Sequence, residues 1–138
     1  MKILKISSEL KFSDFSKNAQ HGYAKGMVYN KNSVFMKRLI EEIDIESKIA
    51  KIRWQNEQTW LLIKCHKKNQ CGDTINVLDV LADCVKKGIG IDDHFFSAII
   101  DYKVGATVKP KVEFWILQNV ELTELQSIIC EFLEGVLI

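Results

Sequence analysis

The 138 residues carry 19 Lys and Arg against 18 Asp and Glu, a formal net charge of +1, with 47% hydrophobic and 27% charged residues. That balance excludes a disordered polyelectrolyte, and the length excludes two comfortable cores, so a single globular domain is expected. No apolar run approaches the roughly 20 residues of a membrane helix, and Met1-Lys2-Ile3-Leu4-Lys5 followed by Ser7-Ser8-Glu9 lacks a signal-peptide core, so a cytoplasmic protein with no membrane partner is expected.

The first predicted element is a strand over Lys2–Ser7, where Leu4 and Ile6 alternate with Lys5 and Ser7. From Ser8 to Lys31 no periodicity holds. Lys17, His21, Tyr23, Lys25 and Lys31 interleave basic and aromatic side chains, which suits a phosphate backbone and unstacked bases; an ordinary surface loop with a short hairpin fits equally. Asn32 or Ser33 then caps a helix to about Ile45, buried through Phe35, Leu39, Ile40 and Ile43. Ile49–Trp54 and Thr59–Cys65 read as two strands joined through Gln55-Asn56-Glu57, the second apolar enough to be central. Its end brings Lys64, His66, Lys67 and Lys68 toward the next helix, with His66 either a general base or a solvent-exposed histidine of a basic loop.

The next helix, Thr74–Lys87, carries Val77, Leu78, Leu81, Cys84 and Val85 at three- and four-residue spacing, with Asn76, Asp79 and Asp83 on the opposite side. Gly72-Asp73 stands at its N-cap, Lys86 and Lys87 in its last turn, and Gly88 where a left-handed C-terminal cap belongs. Phe96–Val104 and Lys111–Leu117 read as an antiparallel hairpin framed by Gly105 and Pro110. Thr123-x-x-Gln126 resembles a capping box for a last helix over 122–136, with Leu125, Ile128, Phe132 and Val136 on its apolar side, covering the sheet or a subunit partner. The order strand, helix, strand, strand, helix, strand, strand, helix predicts an α+β domain with a mixed sheet of four or five strands and helices mainly on one face. No Walker or Rossmann glycine loop is present, so no nucleotide cofactor is expected.

The four cysteines, Cys65, Cys71, Cys84 and Cys130, show no zinc-ribbon spacing and read as reduced thiols, with Cys84 and Cys130 on apolar helix faces. Charge is blocked along the chain. Residues 1–72 hold fourteen Lys and Arg against seven Asp and Glu, and residues 73–138 hold five against eleven. This sets a basic surface beside an acidic site, or lets the two halves neutralise one another. Acidity also marks both ends of the 74–87 helix, with Asp73 before it and Asp92-Asp93 after. Carboxylates that converge raise one another's pKa unless a hard cation such as Mg²⁺ reverses the sign; the alternative is a cap, a solvated face and a turn.

Helix-opening Asp73-x-x-Asn76, then Asp83, a short glycine-containing exit and Asp92-Asp93 resemble the RusA-type Holliday junction resolvases. In that family the opening reads Asp-x-Asp-Asn with a Lys three residues past the Asn; here Ile75 stands for the second Asp and Asp79 for the Lys. The resemblance implies a magnesium-dependent (or Mn²⁺-dependent) endonuclease acting on branched DNA in recombination or repair, assembled as a homodimer. It implies metal ligation by Asp73, Asp92 and Asp93, with Asp79 replacing the missing Asp, and catalysis by Asp73 and Asp93 with Lys86, Lys87 or Lys103 in place of the usual Lys. DNA contacts are then expected from Lys17, His21, Tyr23, Lys25 and Lys31 and from Lys64, Lys67 and Lys68. The departures at Ile75 and Asp79 leave a second expectation, a protein of the same fold that binds branched DNA without cutting it or serves as a homodimeric module.

Overall fold

The computed structural model describes residues 1–8, 21–24, 27–30, 33–67, 76–107 and 109–134, with backbone only at Ser8, 21–24, 27–30, Ser33 and Asn76. Strands β1 (Lys2–Ser8), β4 (Thr59–Lys67), β5 (Phe96–Val104) and β6 (Lys111–Gln118) form one mixed sheet in the order β1-β6-β4-β5. A separate hairpin pairs β2 (His21–Ala24) with β3 (Met27–Asn30), so the polar stretch after β1 contains the short hairpin. Among the described residues the helices are α1 (Ser33–Ile49), α2 (Asn76–Ile89) and α3 (Leu122–Glu134), and a 3-10 turn spans Asp93–Phe95. The domain is α+β with a four-stranded mixed sheet.

Side-chain alternation along β4 divides the core between the two faces of the sheet. Leu61, Ile63 and Cys65 point with Leu4, Ile6, Phe114 and Ile116 toward α1 and α2, meeting Leu39, Ile43, Val77, Leu81, Cys84 and Val85. Leu62 and Leu117 point the other way and are covered by Ile128 and Phe132 of α3. Two helices therefore cover one face and the last covers the opposite face. Each fully buried Leu, Ile or Phe contributes roughly 1.5–3 kcal/mol, which makes both layers necessary to a chain of this size.

Three local expectations are corrected. The chain has no strand over 49–54: α1 continues to Ile49, and Lys51, at φ +57°, turns the chain so that the Ile52 amide bonds the Ser47 carbonyl at 3.0 Å. Ser47 interrupts the apolar period of the helix as a polar residue buried on the inner face, its hydroxyl donating to the Ile43 carbonyl at 2.7 Å and accepting Trp54 Nε1 at 3.0 Å. β5 and β6 do not form a hairpin, because β4 lies between them, parallel to β5 and antiparallel to β6. The 105–110 connection thus crosses the end of β4, where the Gly105 amide bonds the Lys67 carbonyl at 3.1 Å. The last helix opens at Leu122 as expected, but this puts Thr123 inside it and not at its cap, with the Leu125 amide on the Glu121 carbonyl at 2.8 Å, and its Cys130 is exposed.

Candidate functional site

Two of the charged clusters lie at opposite ends of β4 and β5. β4 and β5 run parallel, so the loop that follows α2 enters β5 at the edge where β4 begins, and the 105–110 connection leaves from the edge where β4 ends.

At the first edge, α2 is followed by Gly90, whose φ of +74° favours glycine and whose amide bonds the Lys86 carbonyl at 2.9 Å. Buried Ile91 pins the turn, and the chain returns so that Asp92 and Asp93 face the last turn of α2. Lys86 Nζ lies 2.9 Å from Asp92 Oδ1 and 3.9 Å from Asp93 Oδ1, while His94 Nδ1 contacts Asp92 Oδ2. The Lys86 ammonium, and after it His94, hold the Asp92 carboxyl well below the usual carboxylate range, and Asp92 raises Lys86 in return. All these side chains are substantially exposed, so the cluster fixes local charge more than it stabilises the fold. The sequence pattern placed Gly88 as the left-handed cap; that role belongs to Gly90, and Gly88 lies inside α2, buried against α1.

Of the other residues expected here, Lys87 turns to Asp83 at 3.1 Å, one helical turn back, and away from the Asp92-Asp93 pair. Asp79 is exposed on α2, and seven residues of helical rise put its Cα about 10 Å along the axis from that of Lys86. Asp73 lies outside the described residues. The fourteen residues of α2 separate the helix ends by about 20 Å, so Asp92 and Asp93 follow the end remote from the one Asp73 precedes. Among the described residues, no three His, Cys, Asp or Glu side chains form a group that could hold a metal ion.

At the opposite edge, the structure buries Lys64 and Lys67, two of the residues expected to contact DNA. Lys64 is only 3% exposed, its ammonium donating to the Phe132 carbonyl of α3 and standing 4.8 Å from that ring's centroid. Burial lowers its pKa. Lys67 is 7% exposed, with its ammonium 5.4 Å from the Tyr102 ring centroid. Both fates follow from β4 being the second strand in from the edge, with packing on both faces; a basic run after an apolar strand gives no sign of where burial stops. His66 is likewise not a solvent-exposed loop histidine. Its Nε2 is buried without a hydrogen bond and lies 3.5 Å from Glu113 Oε2, and desolvation lowers its pKa against the opposing pull of Glu113.

Sequence reasoning missed the neighbours of His66. Register pairs it with Lys103 on β5 and with Lys111 on β6, so the three side chains form a row on one face of the sheet. The signal was available in the alternation of β5 and β6, but only a correct strand order turns it into a row. Of the other expected DNA-contacting residues, Lys17, Lys25, Lys31 and Lys68 lie outside the described residues, and His21 and Tyr23 belong to β2 with only their backbone described.

No helix among the described residues is long and apolar enough to cross a membrane. No protein-family model matches the chain, and no curated protein matches it.

Proposed function

We propose that the chain is a RusA-like protein that acts on branched DNA as a divalent-metal-dependent endonuclease. The observation that supports this reading is Lys86, whose ammonium sits between the carboxylates of Asp92 and Asp93. A cation already occupies the place where the motif asks for one, and a lysine stands beside the acidic pair although none occupies the family's usual position. Two adjacent hard oxygen donors suit Mg²⁺ or Mn²⁺. Asp92 and Asp93 would hold the ion, with Asp73 and Asp79 as the further ligands of the motif. The ion, when bound, supplies a lowered pKa for a water and neutralisation of charge on the phosphate. Lys86 can then turn from Asp92 to a phosphate oxygen, a point charge serving a phosphate as it served a carboxylate. This reading expects a homodimer, whose two sites face the two-fold symmetry of a four-way junction.

A second reading is favoured by the engagement of both Asp92 oxygens, Oδ1 by Lys86 and Oδ2 by His94. With Ile75 and Asp79 in place of a ligand and a lysine, such a protein binds branched DNA and leaves it intact. Incubating the protein with labelled four-way junction and linear duplex, in Mg²⁺, Mn²⁺ or chelator, separates the two. The first reading expects junction cleavage with metal that chelator and Asp93→Asn both abolish; junction binding without cleavage in any metal replaces it with the second.

A further inference from the structure

We propose that Lys103 and Lys111, set in a row on either side of His66, contact the phosphates of DNA, so that this face of the sheet carries the nucleic-acid surface in place of the buried Lys64 and Lys67. The inference rests on the reading of the chain as a DNA-acting protein.

The row is set by strand register: His66 is paired with Lys103 across the parallel ladder and with Lys111 across the antiparallel one. Paired residues point to the same side of a sheet, and neighbouring strands lie about 4.8 Å apart. Lys103 and Lys111 are therefore about 10 Å apart at their Cα atoms, and the reach of two lysines covers successive phosphates of a strand.

The charge behind the row is nearly balanced, which leaves the row itself to face outward. Two positions along each strand, on the same face, Asp101, Lys64 and Glu113 are in register. Lys64 is turned under α3 to the Phe132 carbonyl. Glu113 Oε2 lies between His66 Nε2 at 3.5 Å and Lys111 Nζ at 3.9 Å, holding both toward one point. Lys103 is exposed and Lys111 keeps a third of its side chain exposed. The connection that follows Lys103 adds Lys109 and no acidic residue before Glu113. The Nε2 of His66 is buried against Glu113, which leaves Lys103 and Lys111 on either side of it as the groups that reach a phosphate. Seven residues of strand put Lys103 about 23 Å from Phe96, the start of β5, so a polyanion bound here is separated by more than a Debye length from the end of the sheet that follows Asp92-Asp93.

The test is the salt dependence of four-way-junction binding, measured in chelator so that no cleavage intervenes. Each lost phosphate contact lowers the slope of log affinity against log salt by about 0.9, so Lys103→Gln/Lys111→Gln is expected to reduce it by about 2. Lys103→Arg/Lys111→Arg is expected to restore the slope, and Lys37→Gln/Lys48→Gln on α1 to leave it unchanged. The arginine pair keeps the test valid if the glutamine pair loses stability, because it retains charge and strand length. If the wild-type chain binds junction and the glutamine pair gives the wild-type slope, the row is overturned while the DNA reading stands. If the wild-type chain binds no DNA at low salt, the DNA reading itself fails, and this inference with it.

Discussion

Gly88 is set against Ile43 so closely that a Cβ on the glycine would lie 2.6 Å from Ile43 Cγ2 and 3.3 Å from the Ile40 carbonyl oxygen. The contact fixes how near α1 and α2 approach, and through α2 it fixes where Lys86 meets Asp92. Replacing a helix-interior glycine by alanine ordinarily stabilises by about 1 kcal/mol. Here the added methyl has nowhere to go, and overpacking costs about 1–3 kcal/mol. Gly88→Ala should therefore be net destabilising in chemical denaturation. Gly90→Ala meets no neighbouring atom within 4 Å but must adopt φ +74°, and should cost about 1 kcal/mol by strain alone. A gain in stability for Gly88→Ala would show that the helices can separate without penalty.

Gln118 satisfies an otherwise buried turn. Its Nε2 donates to the Gln55 carbonyl and to Thr59 Oγ1, both at 2.8 Å, and its Oε1 accepts the Gln55 amide at 3.0 Å. A fully buried glutamine at the end of an apolar strand is thus a fastening for the chain between α1 and β4. Gln118→Leu keeps most of the volume but strands the Gln55 amide, at a desolvation cost of about 1–3 kcal/mol, and removes one of the two bonds at the Gln55 carbonyl and at Thr59 Oγ1, each worth about 1 kcal/mol. Since 52–58 can admit water, the expected loss is about 2–4 kcal/mol, read as a fall in the urea midpoint with an unchanged slope.

What the sequence disclosed and what it hid divide along the range of the interactions. The buried faces of α2 and α3 were legible because Val77, Leu81, Cys84 and Val85, and likewise Leu125, Ile128 and Phe132, are placed by the helix's own period. The end of α2 was not, since Gly88 and Gly90 look alike as caps until Ile43 is known to press on the first. The strand order was hidden for a similar reason. Gly105 and Pro110 mark a turn whether the strands they join are neighbours or, as here, flank β4. At the candidate site, Asp92-Asp93 stood out in sequence and does meet a lysine, Lys86. The burial of Lys64 and Lys67 depended on α3 and Tyr102, residues far along the chain.

His66 should make stability depend on pH. Its folded pKa is lowered from the ordinary 6.5, chiefly by burial, so the unfolded chain takes up the proton first as pH falls. A depressed histidine pKa means that the contribution is fully present above about 6.5 and declines as pH drops toward the folded value. Asp101 and Glu113 oppose this, and Lys64, Lys103 and Lys111 reinforce it, so the sign belongs to the whole set of facing charges. Denaturation midpoints taken from pH 8 to pH 5 should fall more for the wild-type chain than for His66→Gln. Parallel curves would mean that Glu113 compensates the imidazolium fully in the folded protein.

Lys86 should compete with divalent cations for Asp92 and Asp93. Its ammonium is 2.9 Å from one carboxylate and 3.9 Å from the other, and a hard metal ion would occupy the same region of negative potential. In Lys86→Gln the two carboxylates lose their internal counter-charge, and the Asp92 carboxyl returns toward the ordinary carboxylate value because its largest lowering influence is gone. Mn²⁺ titration at pH 7, followed by calorimetry or by the rise in thermal midpoint with added metal, should then show binding tighter by on the order of tenfold than in the wild-type chain, the screened interaction of one unit charge at a partly exposed site. Asp93→Asn in the same background should reverse the gain, since one carboxylate beside a neutral amide is a poor cage for a divalent ion. Equal and weak Mn²⁺ binding by wild-type, Lys86→Gln and the double variant would mean that the pair does not act as a metal-binding unit even when unmasked, and would favour the reading in which the protein holds DNA without cutting it.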